Sequence, residues 1–311
     1  MEKIPLLIIG GPTASGKTGL AVALAKRFEG EIVSADSMQI YKDISIGTAR
    51  ASEDELDGVP IHLSGFLPLD ETYSAARYVE DAGRAIADIH SRGKLPILCG
   101  GTGLYISSLI DNIKFSGTEP DQNLRAQLME TPAEQLMEKL RSVDPESAER
   151  LNISDKKRIA RALEVYMQTG VTITEHNRLS KLAPSNYDVC YICLNFEDRE
   201  LLYGRCDSRV DAMLAAGLLD EARFVLRSGG RGTVMQAIGY KEFLPYFDGT
   251  QTLCEAVEIL KRDTRRYAKR QLTWLRRDER VQWIYIDRFG SFDEITAEAE
   301  RIFTKKEEAL K

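Results

Sequence analysis

The chain has 311 residues, of which 43% are hydrophobic and 29% charged, and its formal net charge is -6. This length exceeds the usual size of one domain, so we expect a core domain and a second, smaller one. The acidic balance argues against attraction of the whole surface to nucleic acid or membrane but leaves room for a local basic face. Since no apolar run approaches the roughly 20 residues that span a bilayer, and the chain opens on a strand rather than a signal peptide, we expect a cytoplasmic protein without membrane contact. We also expect a monomer, although no sequence pattern indicates the oligomeric state.

A glycine-rich turn between a strand and a helix opens the chain. The apolar run Leu6 to Ile9 precedes Gly11-Pro-Thr-Ala-Ser-Gly-Lys-Thr18, which has the spacing G-x-x-x-x-G-K-[ST] of a phosphate loop. Its glycines let backbone N–H groups point at an anion, while the helix N-terminus and Lys17 add positive charge and Thr18 can hold a metal ion. The pattern predicts a polyphosphate site and leaves open whether the phosphate belongs to ATP or to another compound.

A second predicted strand, Ile32 to Ala35, ends at Asp36. Because ligands lie beyond the carboxyl ends of strands in open α/β sheets, Asp36 is predicted to face the same crevice as the phosphate loop. Its carboxylate could hold a metal, act as a general base or cap the following turn, and the local sequence favours the cap.

A third strand, Leu95 to Cys99, follows a predicted helix between Tyr73 and His90 and leads into Gly100-Gly-Thr-Gly-Leu-Tyr105. These glycines fit two interpretations. They allow close backbone approach to a ligand, or they allow close packing of a helix on a strand. The sequence does not favour either.

Between about Phe115 and Tyr187 the sequence shows helical patterns and no convincing strand. Asp144-Pro145 predicts a capped helix start, Gly170 a helix end, and Thr172 with Glu175 a capping box. We therefore predict an all-helical insertion domain, residues 116–187, in an α/β core of residues 1–115 and 188–311. On local grounds, the basic residues of its main helix form a solvated face.

The five cysteines are scattered and odd in number, which predicts free thiols. Cys190 and Cys193 have the C-x-x-C spacing but fall in a predicted strand, Tyr187 to Phe196, and no second pair follows. We therefore expect no zinc site.

Two later helices carry basic residues. Asp198 is predicted to cap a helix with Arg205 and Arg209 on one face, where surface salt bridges would explain both on local grounds. The last long helix has basic residues throughout Lys261 to Arg277 and only Asp263 opposes them within that stretch. One stripe at helical spacing consists of Arg262, Arg265, Arg266, Lys269, Thr273 and Arg276. Such a stripe in an acidic protein predicts binding of a polyanion.

Several motifs occur here in a fixed order. They are the phosphate loop, Ser34-Ala-Asp-Ser-Met-Gln-Ile-Tyr41 with Ile46-Gly-Thr48, Gly100-Gly-Thr-Gly-Leu-Tyr105, Arg161-Ala-Leu-Glu-Val165, Gly239-Tyr240 and Ala268-Lys-Arg-Gln-Leu-Thr-Trp274. Together they closely resemble the tRNA dimethylallyltransferase (tRNA isopentenyltransferase) family over residues 4–283. The resemblance implies a P-loop NTPase-like parallel sheet with an all-helical insertion. Members transfer a dimethylallyl group from its diphosphate to the exocyclic amine of the adenosine just 3′ of the tRNA anticodon. The chain lacks the zinc-finger extension of eukaryotic members, which implies the bacterial type.

The resemblance also implies roles at the predicted crevice. Asp36 matches the general base, Arg209 rather than Arg205 faces the leaving diphosphate, and Thr13 lies near the reacting end. Dimethylallyl diphosphate and its Mg²⁺, rather than ATP, would occupy the loop, with Thr18 as the metal ligand. The implied diphosphate-binding residues are Gly11, Pro12, Thr13, Ala14, Ser15, Gly16, Lys17 and Thr18.

The resemblance further implies a grip on tRNA by the helical insertion and the basic stripe, with the target base flipped into a channel near Thr102. The implied stretches include Gln236 to Lys241. The implied tRNA-facing residues are Asp36, Ser37, Met38, Gln39, Thr102, Arg125, Lys157, Arg158, Arg161, Gly239, Tyr240, Lys241, Lys269, Arg270 and Arg276.

Two other functions are consistent with parts of this pattern. A P-loop kinase of a nucleoside or small metabolite would use the phosphate loop and Asp36 and turn over ATP, but it leaves the basic helix without a purpose. A non-catalytic RNA-binding protein would bind tRNA and be indifferent to Asp36→Ala. The ordered motifs favour the prenyltransferase.

Overall fold

A computed structural model describes residues 3–113, 115, 121–180, 184–228, 234 and 237–308. The chain forms two compact units, Met1–Ser107 with Tyr187–Lys311, and Ser108–Asn186. The predicted boundary at residue 116 lies outside the described residues. A separate tRNA-contacting role for the helical part stays a prediction.

A parallel sheet organises the first unit. Its strands are β1 (Ile4–Gly10), β2 (Glu31–Ser34), β3 (Ile61–His62), β4 (Pro96–Gly100), β5 (Tyr187–Asn195) and β6 (Val281–Tyr285). The described strands pair in parallel in the order β3-β2-β4-β1-β5-β6. The predicted parallel α/β core of the P-loop NTPase-like type is confirmed. Because β1 lies between β4 and β5 and is covered on both faces, its residues 6–9 are uniformly apolar.

Fourteen α-helices accompany the sheet in the described residues. They are α1 (Lys17–Arg27), α2 (Glu53–Leu56), α3 (Ala75–Ser91), α4 (Gly103–Ile110), α5 (Gln122–Glu130), α6 (Ala133–Val143), α7 (Pro145–Arg150), α8 (Lys156–Thr169), α9 (Ile173–Ser180), α10 (Arg199–Ala215), α11 (Leu218–Arg227), α12 (Leu244–Phe247), α13 (Leu253–Leu275) and α14 (Phe292–Glu308). Within the described part of the chain, no helix combines the length and apolar character that a membrane crossing needs.

One core lies between the sheet and the helices α1 and α14. Leu20 and Leu24 of α1 pack there with Ile97 of β4 and Phe303 of α14. The rings of Phe28 and Phe303 meet edge to face with centroids 4.9 Å apart. This packing fixes the first turn of α1, and hence the phosphate loop, against the ends of β1 and β4.

The second unit is helical in its described part, with α5 to α9 packed around a small core. The predicted cap at Asp144 is confirmed, since its carboxylate accepts from the Ser147 N–H at 3.1 Å. Gly170 ends α8 with φ +73°, as predicted. Of the two hydrogen bonds in the predicted capping box at Thr172, the described structure has one, from the Glu175 N–H to Thr172 Oγ1. The Glu175 carboxylate instead binds Arg178 at 2.7 Å.

Candidate active site

The phosphate loop joins β1 to α1 through positive φ angles at Gly11 (+149°), Ala14 (+64°) and Gly16 (+86°). A Cβ on Gly11 would lie 2.7 Å from Ser15 Oγ and 2.9 Å from the Leu194 carbonyl oxygen, so only glycine fits there. Lys17 Nζ donates to the Pro12 carbonyl oxygen at 3.3 Å. Burial lowers the pKa of Lys17, and the Arg209 guanidinium lowers it further. The ammonium group of Lys17 therefore contacts the backbone of its own loop.

Asp36 follows β2 and holds the turn after it. Its Oδ1 accepts from the N–H groups of Met38 (2.9 Å) and Gln39 (3.4 Å), as the predicted cap requires. The described residues provide no donor to its Oδ2. The same carboxylate lines a cavity with Lys17 and Arg209, so one oxygen can hold the turn while the other faces a ligand.

The second glycine-rich turn lies against the Asp36 turn. Thr102 Oγ1 accepts from the Ser37 N–H at 3.0 Å, and the Thr102 N–H donates to the Ala35 carbonyl at 3.0 Å. A side chain on Gly100 would overlap the Ala35 backbone. Side chains on Gly101 and Gly103 would overlap Gln271 and Trp274 of α13. Of the two interpretations, close packing of protein elements therefore accounts for these glycines.

Gln271 connects the two glycine-rich turns, and sequence reasoning gave it no role. Its Oε1 accepts from the Thr13 N–H at 2.8 Å, and its Nε2 donates to the Gly101 carbonyl at 3.1 Å. The side chain is 5% exposed. A signal was present in the sequence: Gln271 is a polar residue at the helical spacing of the buried Thr264 and Ala268.

The two arginines of α10 have different positions. Arg205 is exposed, and its Nε donates to the Ala14 carbonyl at 2.9 Å on the outside of the phosphate loop. Arg209 lines the cavity. Burial lowers the pKa of Arg209, and the nearby Asp36 opposes that shift. Arg209 therefore lies near both Lys17 of the phosphate loop and the Asp36 carboxylate.

The cavity has a volume of about 250 Å³ and belongs wholly to the first unit. Its polar side includes Thr13, Lys17, Thr18, Asp36, Arg209 and Gln271, and its apolar side includes Val210, Met213, Ile238 and Leu260. An adjoining groove of about 840 Å³ shares Lys17, Thr18 and Arg209 with it and reaches Ala14 and Gly16. A ligand whose anionic part binds the phosphate loop would thus contact the charged side chains of the cavity and, with its other part, the apolar ones.

Of the predicted phosphate-loop residues, Thr13, Lys17 and Thr18 line the cavity. Ser15 is 1% exposed, and its Oγ has no partner in the described structure. Ser37, Met38, Gln39, Gly239, Lys241 and Arg270 also line the cavity, whereas Thr102 supports it from behind.

Tyr240 of the Gly239-Tyr240 motif is buried, and its hydroxyl donates to Glu221 at 3.0 Å. The Glu221 carboxylate also accepts from the N–H groups of Ser45 (2.8 Å), Ile46 (2.9 Å) and Gly47 (2.7 Å). Three successive N–H groups on one carboxylate form an anion nest. The described role of Tyr240 and Glu221 is therefore to hold residues 45–47 beside the cavity. Sequence reasoning missed Glu221, and Gln236 lies outside the described residues.

In the helical unit, two of the predicted tRNA-facing arginines share one buried partner. Arg125 binds the fully buried Glu164 at 2.7 Å, and Arg161 approaches it at 3.1 Å. Lys157 and Arg158 are exposed on α8, with Arg158 3.5 Å from Asp155. Contact of these four with tRNA stays a prediction, and the described ion pairs also give Arg125 and Arg161 a structural role.

The basic stripe of α13 divides into a paired part and a part without acidic partners. Arg265 binds Asp207 at 2.5 and 2.7 Å, and Lys261 binds Asp211 at 2.7 Å, both partners being on α10. Arg262 and Arg266 pair with Asp263. In the described structure no acidic side chain pairs with Lys269, Arg270, Arg276 or Arg277. The cations without an acidic partner among the described residues thus lie at the C-terminal end of α13 and just beyond it, and binding of a polyanion there stays a prediction.

Comparison with known proteins agrees with this geometry. A sequence model of the family described as IPP transferase matches residues 39–278. A tRNA dimethylallyltransferase of Acetivibrio thermocellus is 48% identical over 296 residues, covering 93% of this chain and 94% of the relative. One of Caldanaerobacter subterraneus is 44% identical over 299 residues, covering 94% of this chain and 95% of the relative.

Solved structures give the same result. The tRNA isopentenylpyrophosphate transferase of Bacillus halodurans superposes with a TM-score of 0.73 at 39% identity, covering 99% of each chain. A eukaryotic dimethylallyltransferase crystallised acting on tRNA gives a TM-score of 0.77 at 33% identity, covering 88% of this chain and 70% of that one. Sequence, fold and the surroundings of the phosphate loop agree, and the chain belongs to the IPP transferase family.

Proposed function

We propose that the chain transfers a dimethylallyl group from dimethylallyl diphosphate to the exocyclic amine of the adenosine just 3′ of the tRNA anticodon and releases diphosphate. The observation that carries this proposal is a single cavity lined by the phosphate loop, Asp36 and the basic helix α13. The relatives named above are tRNA dimethylallyltransferases, so prenyl transfer is supported over phosphorylation of a nucleoside or small metabolite. We place the reaction in the cytoplasm and assign it to a monomer.

At the donor end, the carbon–oxygen bond between the dimethylallyl group and the diphosphate breaks, and the diphosphate takes the electron pair. Lys17 and Arg209 line the cavity where that charge develops, and the free N–H groups at the start of α1 would donate to the same anion. Cations and N–H groups placed in advance stabilise such a leaving group in the transition state. The apolar wall of Val210, Met213 and Leu260 suits the hydrocarbon part of the donor.

At the acceptor end, the adenine amine forms a bond to the allylic carbon and loses a proton. Asp36 is the carboxylate of the cavity lining, and its Oδ2 has no donor among the described residues. We assign proton acceptance to this oxygen. Because Oδ1 is held by the Met38 and Gln39 N–H groups, the carboxylate keeps a fixed orientation.

The cavity also suits Mg²⁺ carried with the diphosphate. Mg²⁺ prefers oxygen ligands and commonly uses one or two protein oxygens together with substrate phosphates and water. Thr18 and Asp36 supply a hydroxyl and a carboxylate on the same cavity. Thr18, the diphosphate oxygens and water would hold the ion, which leaves Asp36 Oδ2 free to accept the proton. When bound, the ion would neutralise charge on the diphosphate oxygens.

The test is transfer of labelled dimethylallyl from its diphosphate to unmodified tRNA with Mg²⁺. We compare wild type with Asp36→Ala and Arg209→Ala, and use Asp43→Asn as the control because Asp43 is an exposed carboxylate in the following loop. Label in the tRNA, diphosphate release and a loss of about 10²-fold or more in each cavity variant would support the proposal.

ATP hydrolysis or phosphorylation of a small acceptor, without prenyl transfer, would contradict the proposal and favour a P-loop kinase. Tight tRNA binding with neither activity would leave a non-catalytic RNA-binding protein. Equal losses of transfer activity in Asp43→Asn and Asp36→Ala would contradict the assignment of Asp36 as the general base.

A further inference from the structure

A second pocket lies where β5 and β6 end, outside the catalytic cavity. It has a volume of about 290 Å³, and its lining includes Asn195, Arg199, Leu272, Arg276, Tyr285 and Arg288. Asn195 and Tyr285 are the last residues of the two strands and are partners in their parallel register. The lining shares no residue with the catalytic cavity. The pocket therefore opens at the carboxyl edge of the sheet, beside the end of α13.

The pocket has three arginines and one carboxylate in its lining. Arg288 is paired with that carboxylate, Glu197, through hydrogen bonds of 2.9 and 2.5 Å. Among the described residues, no acidic side chain pairs with Arg199 or Arg276, and both are exposed. Two guanidinium groups thus remain to bind an anion, and their planar donor arrangement matches phosphate oxygens.

Neighbouring acidic residues are already engaged. Asp287 accepts from the N–H groups of Glu197 and Asp198 at 2.9 Å. Asp198 accepts from the Glu200 N–H at 2.8 Å and caps α10. These contacts direct both carboxylates toward backbone donors, which limits their repulsion of an anion in the pocket.

Asn195 supplies a further polar group to the pocket. The residue is 2% exposed and lines the pocket, and none of the described residues forms a hydrogen bond with its side-chain amide. An oxygen-rich anion in the pocket would accept from the Asn195 amide and from the arginines together.

We infer that this pocket binds a backbone phosphate of the substrate RNA, beyond the nucleotide in the catalytic cavity. The inference rests on the proposed function, since tRNA is taken as the substrate. Arg270 lines the cavity and Arg276 lines the pocket. They are six residues apart at the end of α13, about 9 Å along the helix axis and about 120° around it. An RNA strand that passes around the end of the helix can therefore reach both.

The test measures binding of unmodified tRNA to wild type and Arg199→Gln over a series of salt concentrations. Lys305→Gln is the matched control, because it removes one exposed positive charge from the last turn of α14. For Arg199→Gln, the slope of log K against log salt is expected to fall by about 0.7 to 0.9, with Kd rising roughly threefold. Lys305→Gln is expected to match wild type.

A second measurement identifies the phosphate. Ethylation of individual tRNA phosphates should reveal one position at which modification weakens binding to wild type but not to Arg199→Gln, since the contact is already lost in the variant.

Unchanged slope, Kd and ethylation pattern in Arg199→Gln would overturn the inference. A raised KM for dimethylallyl diphosphate with unaltered tRNA binding would assign the pocket to a free diphosphate and also overturn it. A wild-type protein that neither binds tRNA nor transfers label would instead reject the proposed function.

Discussion

The side-chain amide of Gln271 accepts a hydrogen bond from the backbone N–H of Thr13 at 2.8 Å, although the two residues are 258 positions apart. The same amide donates to the Gly101 carbonyl. One residue of the basic helix thus holds both glycine-rich turns at the carboxyl edge of the sheet. The shape of the cavity depends on this link as well as on the phosphate-loop motif.

Replacing Gln271 by Leu is therefore expected to weaken both fold and donor binding. The change leaves the Thr13 N–H and the buried Gly101 carbonyl unpaired, which costs about 1–3 kcal/mol in free energy of unfolding. A displaced phosphate loop should also raise the KM for dimethylallyl diphosphate. Urea unfolding and steady-state kinetics measure the two effects. Glu258→Gln, an exposed change on the same helix, serves as the control, and equal values in both variants would contradict the prediction.

Glu221 is expected to be needed for the order of residues 45–47. In Glu221→Gln the carboxylate that binds three N–H groups and the Tyr240 hydroxyl loses its charge, and hydrogen bonds to charged groups contribute about 1.5–3 kcal/mol. We expect a loss of that order in unfolding free energy and faster hydrogen exchange at Ser45, Ile46 and Gly47. Asp220→Asn removes the neighbouring exposed carboxylate and should have little effect. A loss of equal size in both variants would argue against the nest.

The two parts of α13 are expected to respond differently to charge removal. Lys269→Gln removes a cation without a described acidic partner, so it should weaken tRNA binding and reduce the salt slope by about 0.7 to 0.9. Arg265→Gln removes a cation already paired with Asp207, so it should leave the salt slope near that of wild type while lowering thermal stability. Filter binding and thermal melting distinguish them. The reverse pattern would show that pairing does not decide which cations meet RNA.

The free energy of unfolding at low pH is expected to depend on the buried carboxylate of Glu31. Hydrogen bonds from Arg92, opposed by burial and joined by Lys94 and His62, hold the pKa of Glu31 well below its ordinary value of 4.5. Because the folded-state pKa is lowered, its stabilisation is present above the unfolded-state pKa and is lost as pH falls through the folded-state value.

The difference in unfolding free energy between wild type and Glu31→Gln should therefore be at its full value at about pH 5.5 and shrink below about pH 4.5. Urea unfolding across this range measures it. Glu29→Gln, an exposed change two residues earlier, is the control. A difference that grows on acidification would contradict the sign.

The strands and helices with strong local signals could be predicted from the sequence, and the links between distant residues could not. The apolar run around Leu6 and the glycine spacing through Lys17 indicated β1, the phosphate loop and α1. The edge strand β3 has only two residues and β6 exposes Gln282, so neither produced a clear pattern. The backbone partners of Gln271 and Glu221 are set by tertiary packing between segments more than 150 positions apart, which no local pattern encodes.

The charges of the basic helix show the same limit. Periodicity placed Arg265 and Lys269 on one stripe, but it could not show that Asp207 of another helix neutralises the first and not the second. Likewise, no local pattern indicates that Arg125 of one helix binds the buried Glu164 of another.

The Thr13–Gln271 link has a consequence for synthesis of the protein on the ribosome. The phosphate loop is made first, but the side chain that holds it comes about 260 residues later, and β5, which completes the pairing of β1, is also made late. At 5–20 residues per second the nascent chain carries an unsupported loop for roughly 13 to 50 seconds. The hydrogen bond that holds Thr13 can therefore form only after α13 has been made.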